Sequence, residues 1–140
     1  MNFATEAELI SFGRKIGKNL NAPAVIELVG DVGSGKTTLT RGIAEGLGIK
    51  SPVTSPSFTI SNHYAFAKNN QKQYLVHYDF YRLEDPGLMA EDLAESLNDQ
   101  NTITIIEWAD SVANFLPKNH TIYRITLNDD GSRLVEEEKA

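Results

Sequence analysis

The sequence predicts a single α/β domain with a mixed, mostly parallel sheet flanked by helices, and three observations predict it. Short runs rich in β-branched residues, AVIELV at 24–29 and TITII at 102–106, alternate with stretches whose apolar residues recur at helical spacing. A glycine-rich turn at 30–35 joins the first of these runs to the amphipathic stretch that follows. Downstream, two alternating stretches meet at Asn69-Asn70, the pattern of an antiparallel hairpin, so the sheet is mixed rather than all-parallel.

In chain order, residues 5–20 read as a helix. Thr5 and Glu8 make a capping-box pattern, and Leu9, Phe12, Ile16 and Leu20 form its apolar face. Pro23 leads into a buried strand over 24–30. Residues 36–47 form the next helix, with Leu39, Ile43 and Leu47 on one face and Gly48 as its C-terminal cap. Residues 53–64 run from a Pro-containing loop into a strand, and 73–80 pairs with it across the Asn69-Asn70 turn. Asp85-Pro86 starts a helix that buries Met89, Leu93 and Leu97. Residues 102–106 are a buried strand ending at Glu107-Trp108, 110–115 a short helix stopped near Pro117, and 121–127 a strand. After a turn at 128–131, residues 133–135 pair back, and the closing EEEKA reads as a solvated, disordered tail.

The 140 residues suffice for one core and are too few for two domains, so 1–140 reads as one unit with 135–140 as tail. Cysteine is absent, which excludes disulfides and thiolate chemistry and fits a reducing compartment. The start, MNFATEAELI, lacks the pattern of a secretory signal, and no apolar run approaches a membrane span, so a cytoplasmic protein is expected. A net charge of −6 argues against general nucleic-acid binding, which needs clustered Lys and Arg.

The turn carries chemistry. Gly30-Asp31-Val32-Gly33-Ser34-Gly35-Lys36-Thr37 fits G-x-x-x-x-G-K-[ST], between a buried strand and an amphipathic helix. Glycines let successive N–H groups curl around phosphate oxygens, and the helix start adds its positive dipole end. Lys36 would reach the β- and γ-phosphates, and the Thr37 hydroxyl would serve Mg²⁺. The expected nucleotide contacts are therefore Asp31, Val32, Gly33, Ser34, Gly35, Lys36, Thr37 and Thr38. This makes the fold a P-loop NTPase and the cofactors ATP or ADP with Mg²⁺. A ligand-free glycine-rich turn is the competing explanation.

Such a site needs carboxylates. Asp79 and Glu107 both end predicted strands, where ligands of open α/β sheets bind. By hydrophobicity, 103–106 leading into Glu107 is the better Walker-B-like pattern, although acidic strand ends also serve as helix caps or solvated loops. The hydroxyl-rich stretch 53–59 follows the loop's helix and is either a switch loop or an ordinary Ser/Thr turn. His77 shares a strand face with Asp79, to position it or as a structural histidine. Trp108, beside Glu107, reads as a core or pocket-wall residue close to the nucleotide.

Taken together, GDVGSGKTTLTRGIAEGLG, VTSPSFTI, HYDFYRL and IIEWADSV with LP following resemble the TsaE (YjeE) family of bacterial P-loop ATPases, from the first helix to about Val135. The resemblance implies a role in making threonylcarbamoyladenosine at position 37 of tRNA. It implies two partner proteins, TsaD and TsaB, with tRNA met only through the complex. It makes Lys36 and Glu107 the catalytic residues and puts Thr37, Asp79 and Glu107 at the metal. It places Trp108 beside the site and identifies 53–58 as a switch-like loop, which adds Thr54 and Ser55. SPSF stands where SPTF is common, which keeps the hydroxyl. The roles of Tyr81 and Arg82 stay open.

Two other classes compete with an ATPase. A small-molecule kinase would carry a lid with several arginines, whereas Arg41, Arg82, Arg124 and Arg133 are scattered. A nucleotide-sensing interaction module would bind without hydrolysis. No NKxD or DxxG pattern points to a GTPase.

Overall fold

The computed structural model describes residues 1–54, 61–81 and 87–140. Its strands are β1 (Asn2–Phe3), β2 (Ala24–Val29), β3 (Ser61–Lys68), β4 (Gln71–Asp79), β5 (Thr102–Glu107), β6 (Thr121–Leu127) and β7 (Arg133–Lys139). They form one seven-stranded sheet in the order β1-β7-β6-β2-β5-β4-β3. The central four, β6-β2-β5-β4, are parallel, and β3, β7 and β1 are added antiparallel. The predicted mixed, mostly parallel sheet with an antiparallel hairpin is what the chain forms.

Helix α1 (Glu6–Asn19) starts at the predicted N-cap: Thr5 Oγ1 accepts the Glu8 amide at 3.2 Å, while the return bond of Glu8 Oε2 goes to the amide of Ala4, one residue before the cap, at 2.7 Å. Helix α2 (Lys36–Gly46) ends as Gly48 predicts. Gly48 has φ +87°, its amide donates to Glu45 O, and the Ile49 amide donates to Ala44 O, both at 3.0 Å. Asn69 and Asn70 both take positive φ, 55° and 62°, the backbone that a two-residue hairpin turn needs. Helix α3 (Leu88–Asn98) begins after Gly87, and the predicted start at Asp85-Pro86 lies outside the described residues.

Side-chain alternation divides the core between the two faces of the sheet. Ile26, Leu28, Leu75, Ile103, Ile105 and Ile125 pack with Leu9 of α1 and with Leu39 and Ile43 of α2. Val76, Tyr78, Phe80 and Ile106 pack with Leu93 of α3 and Val112 on the other face. The helices α1 and α2 touch backbone to backbone. A methyl on Gly17 would sit 2.2 Å from Ile43 O, and one on Gly42 would sit 2.5 Å from Ile10 O.

The short helix expected over 110–115 forms as a 3₁₀ helix, Ala109–Phe115, after a left-handed Trp108. One expectation needs correction: residues 136–139 are not a disordered tail, because β7 pairs with β6 as far as Thr121↔Lys139, with its glutamates solvated but its backbone bonded. Strand β1 adds two residues to the far side of β7 and is too short to show a periodicity. Among the described residues, no helix is long and apolar enough to cross a membrane.

Candidate functional site

The strand ends meet the glycine-rich loop in a cleft of about 320 Å³. Strand β2 runs into the loop, and α2 leaves it with Gly35 at the N-cap in left-handed backbone, φ +117°. Gly33 is also at positive φ, +83°. Positive φ of this kind is the backbone from which loop N–H groups can form an anion-binding concavity, and the α2 dipole adds its positive end there. Gly30 admits no side chain, because a methyl would lie 2.5 Å from Ser34 Oγ and 2.6 Å from Ile125 O.

Lys36 is buried at 6 % exposure. Its Nζ donates to the carbonyls of Gly30 at 2.5 Å and Asp31 at 3.0 Å, and lies 4.5 Å from the centroid of the Trp108 ring. Burial lowers its pKa, opposed by the negative charges of Glu107, Asp79 and Asp31. Trp108 has φ +56°, an unusual backbone for a residue with a side chain. Its ring lies 4.7 Å from that of Tyr81, centroid to centroid, with the two planes tilted by 42°.

Asp79 and Glu107 are register partners on β4 and β5, side by side at the ends of parallel strands. Both share the face that carries the loop, as alternation from Leu75 and Ile105 requires. Burial raises the Asp79 pKa. The Tyr81 amide, donating to Asp79 Oδ1 at 2.9 Å, pulls the other way, and Glu107 adds to the rise. Glu107 is 3 % exposed, and its Oε2 lies 2.5 Å from Nε2 of the wholly buried His77. His77 therefore meets Glu107, not Asp79 as its strand face suggested.

Of the residues expected to bind nucleotide, Val32, Gly33, Gly35, Lys36, Thr37, Thr38 and Trp108 line the cleft, with Asp79 and Glu107. Asp31 and Ser34 border a hollow on the other side of the loop, toward Arg124 and Leu127. Thr54 is exposed and does not line the cleft; its carbonyl accepts from Asn62 Nδ2 at 3.0 Å. Ser55 and Arg82 lie outside the described residues. Two cleft residues were not predicted. Tyr81 enters through its ring contact with Trp108. Arg133 enters because β7 carries it to the loop, where its Nε donates to Ser34 O at 3.0 Å.

Among the described residues, no three His, Asp or Glu side chains gather into a stand-alone metal cage. The donors in the cleft are a threonine hydroxyl and carboxylates, hard oxygens few enough to suit a magnesium ion that takes its remaining ligands from water and phosphate.

The family model described as "Threonylcarbamoyl adenosine biosynthesis protein TsaE" matches residues 3–136. Over 136 residues the chain is 35 % identical to the tRNA threonylcarbamoyladenosine biosynthesis protein TsaE of a Nostoc species, covering 95 % of this chain and 81 % of that one. It is 44 % identical over 111 residues to the Bacillus subtilis protein of the same name, covering 78 % and 65 %. The crystal structure of Bacillus YdiB is similar with a TM-score of 0.75 at 30 % identity, over 96 % of this chain and 80 % of that one. The chain belongs to the TsaE family.

Proposed function

We propose that the protein is a cytoplasmic ATPase that binds ATP with Mg²⁺ in this cleft and hydrolyses it to ADP and phosphate. The turnover serves tRNA threonylcarbamoyladenosine synthesis with TsaD and TsaB, and tRNA is met through that complex. The names of the relatives support the pathway. The chemistry rests on one observation: Lys36, Thr37, Asp79 and Glu107, up to 71 positions apart in sequence, line one cleft around the glycine-rich loop.

The loop amides and Lys36 bind the phosphate tail, and the ammonium supplies the counter-charge as negative charge builds on the transferred group. Thr37 and Asp79 would hold Mg²⁺, with Glu107 beside them. The chemistry the ion would supply there is neutralisation of charge on the phosphate oxygens. Glu107 orients the attacking water and accepts its proton. Its Oε2 is occupied by His77, which leaves Oε1 for the water. Trp108 and Tyr81 wall the cleft and shield Lys36 from solvent.

Trp108 is the only tryptophan and stands beside Lys36, so its fluorescence reports occupancy. Titration with ATP, ADP and GTP, followed by phosphate release with and without TsaD and TsaB, tests the assignment. Saturable quenching by ATP and ADP, with release that rises in the complex, is expected. Binding with no release in the complex would leave only a nucleotide sensor.

A further inference from the structure

Arg133 lies 99 positions from Ser34 in sequence, yet its guanidinium rests against the glycine-rich loop. The backbone at Arg133 is fixed on both sides, opposite Leu127 of β6 and Phe3 of β1. Its Nε donates to Ser34 O at 3.0 Å and Nη2 reaches Gly33 O at 3.5 Å, while Nη1 holds Gly131 O at 3.1 Å in its own hairpin turn. The fit is close: a methyl on Gly35 would lie 3.3 Å from Arg133 Nε. In a trans peptide the C=O and the following N–H point in opposite directions. A grip on the carbonyls of Ser34 and Gly33 therefore sets the direction of the Gly35 and Ser34 amides. The Ser34 amide is already taken by Asp31 O at 3.0 Å, so the amide whose direction matters to a ligand is that of Gly35.

We propose that Arg133 is a positioning residue for phosphate binding: by holding the Ser34 and Gly33 carbonyls it keeps the Gly35 amide aimed into the cleft. The guanidinium suits the task because its planar fork can hold the loop and the β6–β7 turn at once, which the single point charge of a lysine cannot do. This role rests on the nucleotide reading of the cleft, and it also makes the β6–β7 hairpin part of the binding machinery.

The test measures Kd for MgATP and for tripolyphosphate by calorimetry, and the ¹⁵N–¹H resonance of Gly35, in wild type, Arg133→Gln and Arg133→Lys. In Arg133→Gln, both ligands should bind about tenfold more weakly, as expected for loss of a charge-assisted hydrogen bond, and the free-state Gly35 amide should shift. Arg133→Lys keeps one donor for Ser34 O and should recover part of the loss, ending about threefold weaker than wild type. Binding of both ligands within twofold of wild type in Arg133→Gln, with the Gly35 resonance unmoved, overturns the proposal while leaving the nucleotide reading intact. If Arg133→Gln does not fold, the same result in Arg133→Lys overturns it. A wild-type protein that binds neither ligand removes the nucleotide reading and the proposal together.

Discussion

His77 Nε2 lies 2.5 Å from Glu107 Oε2 between two neighbouring parallel strands, with both side chains buried. The other ring nitrogen, Nδ1, has no hydrogen-bond partner among the described residues, so the polarity of this buried ring is directed at one carboxylate. A ring present only to fill space would serve better as leucine, because an orphaned buried nitrogen is unfavourable. His77→Leu should lower turnover up to about 10²-fold through a misoriented Glu107, with MgATP affinity within about twofold of wild type. His77→Gln, which returns an N–H near the Nε2 position, should recover much of the rate. Phosphate release in the assembled complex reads this, and a rate unchanged in His77→Leu would refute it.

Glu107→Gln keeps the shape and the polar contact to His77 but removes the carboxylate that we propose as the base. Expected is ATP binding close to wild type, with turnover reduced about 10²–10⁴-fold. Single-turnover phosphate release with the partner proteins decides the matter, and a wild-type rate would remove Glu107 from the chemistry.

Asp79 and Glu107 put two carboxylates side by side at the rim of the sheet, and burial has already raised the pKa of Asp79. Asp79→Asn should therefore stabilise the nucleotide-free protein, by about 1 kcal/mol, while weakening magnesium-dependent ATP binding. Thermal melts with and without MgATP separate the effects: the free protein should melt higher and gain less from the ligand. A lower melting temperature for the free variant would mean that the carboxylate pair is not a strain on the fold.

The α1–α2 contact makes a different demand. Alanine is the better helix former by about 1 kcal/mol, yet Gly17→Ala would place its methyl 2.2 Å from Ile43 O. Net destabilisation of about 1–3 kcal/mol is expected from urea unfolding, because the obstacle is backbone, not a movable side chain. A stabilised variant would mean that the helices separate easily.

The buried phenol of Tyr123 sets an alkaline limit. Burial, and then Glu137 at 3.3 Å from its hydroxyl, raises its pKa above the ordinary 10.0. The folded form keeps the proton where the unfolded chain loses it, so this stabilising term holds at neutral pH and is lost as pH rises beyond about 10. The loss is at most about 1.4 kcal/mol per pH unit for one group. Tyr123→Phe should flatten the fall in urea stability above pH 10, and an unchanged slope would contradict the assignment.

Much of this was legible in the sequence because local chemistry carried it. Thr5 and Glu8, Gly48 and Asn69-Asn70 mark boundaries by hydrogen bonds and φ values that few residues satisfy, and they sit where expected. The glycine-rich loop was legible for the same reason. Pairings made at a distance were hidden. EEEK carries no apolar alternation, and its strand is held by β6, not by its own pattern. Arg133 looks like any surface arginine until β7 brings it to Ser34. His77 and Asp79 share a face, but which carboxylate the ring meets depends on the β4–β5 register, which no spacing within one strand reveals.

If the loop from Gly30 to Thr37 closes on the phosphate tail of ATP with Lys36 as its counter-charge, binding of ATP should depend on that lysine. Calorimetric titration of the wild-type protein and Lys36→Ala with ATP in excess magnesium tests it most directly. Saturable one-to-one binding by wild type, weakened about 10²-fold or more in Lys36→Ala, is the expected result. Absence of heat from the folded wild-type protein, or equal binding by the two, would contradict it.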